Sequence, residues 1–446
     1  MNQIALGDQS AYIVLEGQSI NPPYKTAAVF FNFSSEPIVK ESLQIQLSGT
    51  VTQVSNAIAA LEATLQRITA YRANTYPYVQ YLRFQPAAGG DYFYAPLIDA
   101  YLEANPAGYK TRQTGSLLLT LHYTRPNYFD GAKTELPLTT KGALDLTDGV
   151  TILNHTCNDV GHSNTVLIKP AHYETELPAP LRIEVQNEFT SPIPMTDFHF
   201  GIYHHPTHLS DSPFFYHGAD LAGGTSYADA GAINGYFRRY TWSPSVWTPL
   251  FAAPISATQI NILEGRAYRP YVHLFNPFAY ADLYLKFQIE RGSDLLYVSE
   301  SVYADPAYQC VFFPPVNLPP TRLLRETLPH SSTLVFYAKK GSAAAYTLDV
   351  DQLVLQPLDF SASFLGFYGM NKGDLLIYDS HRGLHNVRYS AVGSETVAHV
   401  LQGGPLLLSP NTYTRLFTAI VLSDGSMQKD RTVKIKAFYR KRVRLL

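Results

Sequence analysis

Histidine is the side chain best suited to chemistry near neutral pH, and this sequence gathers His199, His204, His205, His208 and His217 close to Asp197, Asp211 and Asp220. On a helix His204 and His208 would share a face, and imidazole suits zinc or copper. Pro206 interrupts that run, Gly201 and Pro213 flank it, and no His-Glu-x-x-His spacing occurs. These residues therefore read as a polar loop. His155-Thr156-Cys157 with Asp159 and His162 could form a thiol–imidazole pair. A nucleophilic thiol needs a lowered pKa and an orienting third group, and adjacency in a turn supplies neither. Glu174 with Glu176, and Asp349 with Asp351, sit two apart and would share one face of a strand. Hydrolysis of a glycoside needs carboxyls held across a cleft, so these pairs read as solvated faces. Gly89-Gly90, Gly223-Gly224 and Gly403-Gly404 lack the Lys-Ser/Thr of a phosphate loop and read as turns. The expectation is a protein without catalytic residues, metal or cofactor.

Binding chemistry is better represented. Sugar sites stack a ring on the CH face of a pyranose and bond hydroxyls with Asn, Asp or Arg. Asn234, Tyr236, Arg238, Tyr240 and Trp242, with Arg239 beside them, could supply both parts. The competing reading puts Trp242 and Trp247 in a core or at its rim. The stretch from Lys429 to Arg444 holds eight Lys/Arg and only Asp430 as an acid. Half of that charge alternates along a strand, which favours a solvated face or a subunit contact over a polybasic tail.

Composition narrows the classes. The chain has 446 residues, too many for one core, so two or three domains are expected. A net charge of −2 with 16% charged residues gives no footprint for nucleic acid. No run of about 18 apolar residues suggests a membrane span. The N-terminus lacks a basic region followed by an apolar one, so synthesis in a cytoplasm is expected. Cys157 and Cys310 define no disulfide framework, and the sequons at Asn32 and Asn154 read as chance. The 32 Tyr, 30 Pro and 28 Gly fit many short strands joined by firm turns.

The elements that would position these residues are mainly strands. Leu43, Ile45 and Leu47 alternate with polar residues, as on a half-buried strand. From Thr52 to Arg72 the period changes. Val54, Ile58, Leu61, Leu65 and Ile68 make one apolar stripe on a helix of about five turns. Strands resume at Tyr78–Gln85, Tyr92–Leu97 and Leu117–Tyr123. Alternation recurs at Leu181–Gln186, Leu283–Glu290 and Val433–Arg440. The expected organisation is residues 1–140 as a small barrel or sandwich with one helix, 141–360 as a jelly-roll β-sandwich, and 361–446 as a β segment that is separate or completes the sandwich. The excursion from His204 to Tyr236 reads as a long functional loop.

The order of Leu43–Gly49, Thr52–Arg72, Tyr78–Gln85 and Leu117–Tyr123 resembles the N-terminal domain of distal tail proteins of long-tailed bacteriophages and prophages. The ending, from Gly404-Pro405-Leu406 through Asn411 to the basic, aromatic run Ala437–Arg442, is similar to that family's last hairpin. The resemblance covers about a third of the chain and rests on element order. It implies a tail-tube-like β-barrel with one helix that multimerises as a ring, joined to a galectin-like β-sandwich. The middle of this chain is longer than a simple member needs, and an enlarged sandwich would decorate the tail or bind sugar. The implied partners are copies of itself in a trimeric or hexameric ring, other tail proteins and a host-surface glycan. The implied location is the virion tail, after synthesis in the host cytoplasm. Ring contacts are expected from the loop Asn21–Lys25, the turn Asn74–Tyr78 and the last strand, with Asn21, Tyr24, Lys25, Tyr76, Lys434, Lys436 and Arg440 as candidates. The alternative is a carbohydrate-binding β-sandwich protein.

Overall fold

The computed structural model describes residues 3–8, 12–14, 24–26, 36–76, 78–86, 89–104, 116–140, 144–153, 165–190, 192, 195–205, 215–233, 235–257, 259, 265–276, 280–318, 331–342, 344–358, 361–365, 370–382, 387–391, 394–398, 400–422 and 431–444. The protein is mainly β and divides into two compact units. The first comprises Met1–Thr134, Thr175–Ala179 and Arg440–Leu446; the second comprises Glu135–Glu174 and Pro180–Tyr439.

In the first unit the change of sequence period is a change of element. Strand Ile38–Ser48 buries every second side chain, then Thr50 caps a helix over Val51–Arg72. The cap is reciprocal: the Gln53 N–H donates to the Thr50 hydroxyl, and the Thr50 N–H donates to the Gln53 side chain. Val54, Ala57, Leu61, Leu65 and Ile68 turn inward and share one core with Ile45, Leu82, Leu119 and Phe129. One sheet runs Tyr24–Thr26, Ile38–Ser48, Ser116–Pro126, Asp99–Ala104, all antiparallel. The other pairs Tyr12–Val14, Gln3–Gly7, Tyr81–Gln85 and Phe93–Pro96 in that order. Both sheets are open, with no closed barrel among the described residues. The unit ends at Thr134, not at 140, and recovers chain from two later places. Arg442 supplies one reason, since its guanidinium clasps Asp130 at 2.7 and 3.2 Å and lies 3.7 Å from the Tyr128 ring centre.

The second unit holds two layered systems, one inserted in the other. Strand Met195–His205 pairs with Ser361–Leu365 (Gly201 opposite Ser361) and with Tyr413–Leu422. Strand Ala179–Asn187 pairs with Leu375–Asp379 and with the Val433–Tyr439 part of the last strand. The chain after 361 is therefore interleaved with the strands of 165–205. The described strands between Phe215 and Pro357 form a β-sandwich. One sheet runs Thr225–Ala228, Tyr236–Trp242, Tyr346–Pro357, Ala267–Leu274, Cys310–Phe312. The other runs Thr248–Ile255, Ser332–Lys340, Leu283–Arg291, Asp294–Val298. Tyr240, Trp242, Phe251, Phe287, Phe313, Phe336 and Leu348 fill the space between. This nested sandwich is much shorter than the one expected over 141–360. The excursion from 204 to 236 contributes its strands Phe215–His217 and Thr225–Ala228.

Candidate functional site

The strand Tyr236–Trp242 decides the geometry of the site, because its two faces meet different surroundings. Tyr240 and Trp242 point into the sandwich core and are 3% and 5% exposed, so neither ring is available to a sugar. Arg238 is engaged by backbone: its guanidinium donates to the carbonyls of Gly218, Gly223 and Ala219 at 2.8–3.2 Å. Tyr236 is exposed at the start of the strand, and Asn234 lies outside the described residues. The intervening residues Phe237, Arg239 and Thr241 lie on the outer face. The expected residues and the available ones thus differ by a single register step, which exchanges the two faces of a strand.

The outer face carries an aromatic row beside a polar row. Tyr227, Phe237 and Phe275 stack almost parallel, with centroid spacings of 5.5 and 4.5 Å and interplanar angles of 13° and 9°. The inner ring, Phe237, is buried, whereas Tyr227 is 42% exposed. Next to the row, Arg239 forms a two-pronged ion pair with Asp349 at 2.7 and 2.8 Å. The Asn276 amide donates to the same carboxylate at 2.9 Å. Burial raises the Asp349 pKa, but the hydrogen bonds from Arg239 and Asn276 outweigh it and hold the group below its ordinary range. The Arg239 guanidinium also lies 4.9 Å from the Tyr227 ring centre. Thr225 stands opposite Arg239, and the Thr241 and Thr347 hydroxyls meet at 3.1 Å one step further along.

Further along the same face of strand Tyr346–Pro357 is a fully buried polar group. The Asp351 carboxylate accepts the Ile233 N–H at 3.1 Å and lies 3.2 Å from Nδ1 of His273. It thereby fixes the turn Asp229–Gly235 at the edge of the sheet. Asp349 and Asp351 are 6% and 1% exposed, which corrects their reading as a solvated pair. A bulge between His273 and Leu274 breaks the register opposite them.

The other candidate residues are dispersed. His199 and His204 are driven by burial well below the usual imidazole range, to about 3 and about 4. His199 bonds Gln356 at 2.9 Å and His204 bonds Thr414 at 2.8 Å. His208, Asp211 and the His155–His162 cluster with Cys157 lie outside the described residues, as do Asn32 and Asn154. Among the described residues no group of three or more His, Cys, Asp or Glu converges for a metal.

Of the expected ring contacts, Tyr76 donates to Asp8 at 2.9 Å. Lys434 and Lys436 both meet Asp148, and Arg440 donates to the Gly131 carbonyl at 3.1 Å. These side chains already have partners within the chain. Tyr24 and Lys25 belong to strand Tyr24–Thr26, with their side chains outside the described set, as is Asn21. The first unit also has a groove of about 360 Å³ lined by Lys40, Asp99, Tyr101, His122 and Thr124. Tyr101 stacks on His122 at 4.7 Å, and His122 bonds Glu103 at 2.8 Å.

No family model matches the chain, and no curated protein sequence matches it. Among solved structures it is similar to the N-terminal CBM22-1-CBM22-2 tandem domain of Paenibacillus barcinonensis Xyn10C, with 11% identity, 52% of this chain and 94% of that one covered, and a TM-score of 0.20. It is also similar to a protein from Parabacteroides distasonis ATCC 8503, at 12% identity, 57% and 98% coverage and a TM-score of 0.17. A third likeness is to the infectious bursal disease virus VP2 subviral particle, at 10% identity, 70% and 81% coverage and a TM-score of 0.16. Likenesses this slight carry no inference about this chain.

Proposed function

We propose that the chain is a non-enzymatic structural subunit of a bacteriophage or prophage tail tip. The observation that carries this reading is the order of elements around one core in the first unit. Strand Ile38–Ser48, helix Val51–Arg72, strand Tyr81–Gln85 and strand Ser116–Pro126 follow one another as the resemblance to distal tail proteins implies. In this reading the two open sheets play the part of the tail-tube-like barrel. Among the described residues, strands Tyr24–Thr26 and Asp99–Ala104 end one of these sheets, and edge strands carry unpaired backbone groups. A ring of identical subunits would cover such edges, in a trimer or a hexamer. The second unit would then be the outward, galectin-like or jelly-roll part. The protein would be made in the bacterial cytoplasm, meet other tail proteins there and reside in the virion.

The test is the mass of the purified chain by light scattering at several concentrations, with electron microscopy of the same samples. Rings of three or six copies support the reading. A strict monomer at every concentration overturns self-driven ring assembly.

A further inference from the structure

We propose that the outer face of the nested sandwich, centred on Tyr227, binds a neutral glycan. A glycan partner is already implied by the resemblance; the location of the site and the neutral class of its ligand are added here, from observations that do not depend on the tail reading. Three parallel rings form a row, and the end ring, Tyr227, is 42% exposed on an edge strand. Phe237, itself backed by Phe275, stacks on it from behind, so an aromatic surface is presented without ordering a mobile side chain on binding.

The adjacent polar row defines the ligand class. Arg239 uses Nε and Nη2 for Asp349, leaving Nη1 without a partner among the described residues. Asn276 donates with its amide nitrogen and keeps its carbonyl oxygen for an incoming hydroxyl. The exposed residues Thr225 and Thr241 add hydroxyls on the same face, that of Thr241 already meeting Thr347. A ring surface flanked by fixed donors and acceptors suits a pyranose, whose CH face is apolar and whose rim is hydroxyl. The pairing of Arg239 with Asp349 cancels the charge at the centre, which removes the attraction an anionic ligand would need. A purely apolar partner would strand the Thr hydroxyls and the Asn276 carbonyl. The prearranged ion pair also keeps Arg239 in one rotamer, which fixes the direction of its free N–H groups.

The test uses the full chain on an array of neutral and acidic oligosaccharides, followed by calorimetry with the best neutral oligosaccharide found. The wild type should bind at least one neutral glycan. Tyr227→Ala should weaken that binding about tenfold or more, with an unchanged melting temperature. Asn276→Ala should weaken it less, and Tyr236→Ala, on the other phase of its strand, should leave it unchanged. The inference is overturned if the wild type binds no neutral glycan, binds only acidic ones, or binds equally well with Tyr227→Ala. Ring formation is read separately by mass, so loss of this proposal and loss of the tail reading are distinguishable.

Discussion

Arg125 and Glu41 show what a buried charge requires. They join strands Ser116–Pro126 and Ile38–Ser48 through two hydrogen bonds of 2.7 and 2.8 Å, and each side chain is 2% exposed. The Phe129 ring centre lies 4.4 Å from the guanidinium, and the Arg125 Nη1 also donates to the Pro126 carbonyl. Glu41→Gln removes one charge and leaves the other buried, so it should cost about 3–5 kcal/mol, read as a lower urea midpoint. Asp145 represents the opposite case, at the surface. Hydrogen bonds from Lys169 and then Thr139 lower its pKa from 3.8 to about 2. A carboxylate with a depressed native pKa stabilises the fold above its unfolded value. That contribution disappears as pH falls from 3.8 toward 2. Asp145→Asn should therefore lower the urea midpoint at pH 6, and the gap from wild type should close on acidification through this window. Because Asp145 is 40% exposed, solvent screening keeps the gap small. Little of this residue-level detail is legible in the sequence. Asp349 and Asp351 have the spacing of a solvated pair, yet the strand that carries them is covered on both faces. Their partners, Arg239, Asn276 and Ile233, come from distant positions.

At the scale of elements the sequence is more readable, with one instructive failure. The 4, 3, 4, 3 spacing locates the helix almost to the residue, because only a period near 3.6 puts Val54, Leu61 and Ile68 on one side. Thr50→Ala should cost about 1 kcal/mol by opening the cap. Leu61→Ala should cost about 2–5 kcal/mol, because that side chain is wholly buried. Thermal and urea unfolding of the two variants would rank them in that order. The strand Tyr236–Trp242 is where reading by pattern fails. Its aromatic residues occupy both phases, Phe237 on one and Tyr236, Tyr240 and Trp242 on the other, so alternation does not say which face is wet. The deciding facts are tertiary: the core of the sandwich takes Tyr240 and Trp242, and the stack from Tyr227 to Phe275 takes Phe237. The boundaries of the units were similarly hidden. Strand Thr432–Val443 alternates cleanly along its length, yet its residues through Tyr439 fall in one unit and those from Arg440 in the other.

For the whole molecule, the nested sandwich makes a sharp prediction. Strand Met195–His205 and strand Ser361–Leu365 already pair as the arms of a hairpin, with Gly201 opposite Ser361. Phe215 stands opposite Val354, so the two ends of the inserted module also lie side by side. Replacing 206–360 with a short Gly/Ser linker should therefore keep the hairpin. The shortened chain should have the same number of copies per particle as the full chain by light scattering, whatever that number is, and lose binding on the neutral-glycan array. Some stability should be lost too, because Phe417 and Val421 of the outer layers pack with the inserted core. An insertion whose two ends emerge together is also a unit of inheritance. Recombination at that hairpin would exchange the whole inserted module in a single event and leave the strands that flank it in place.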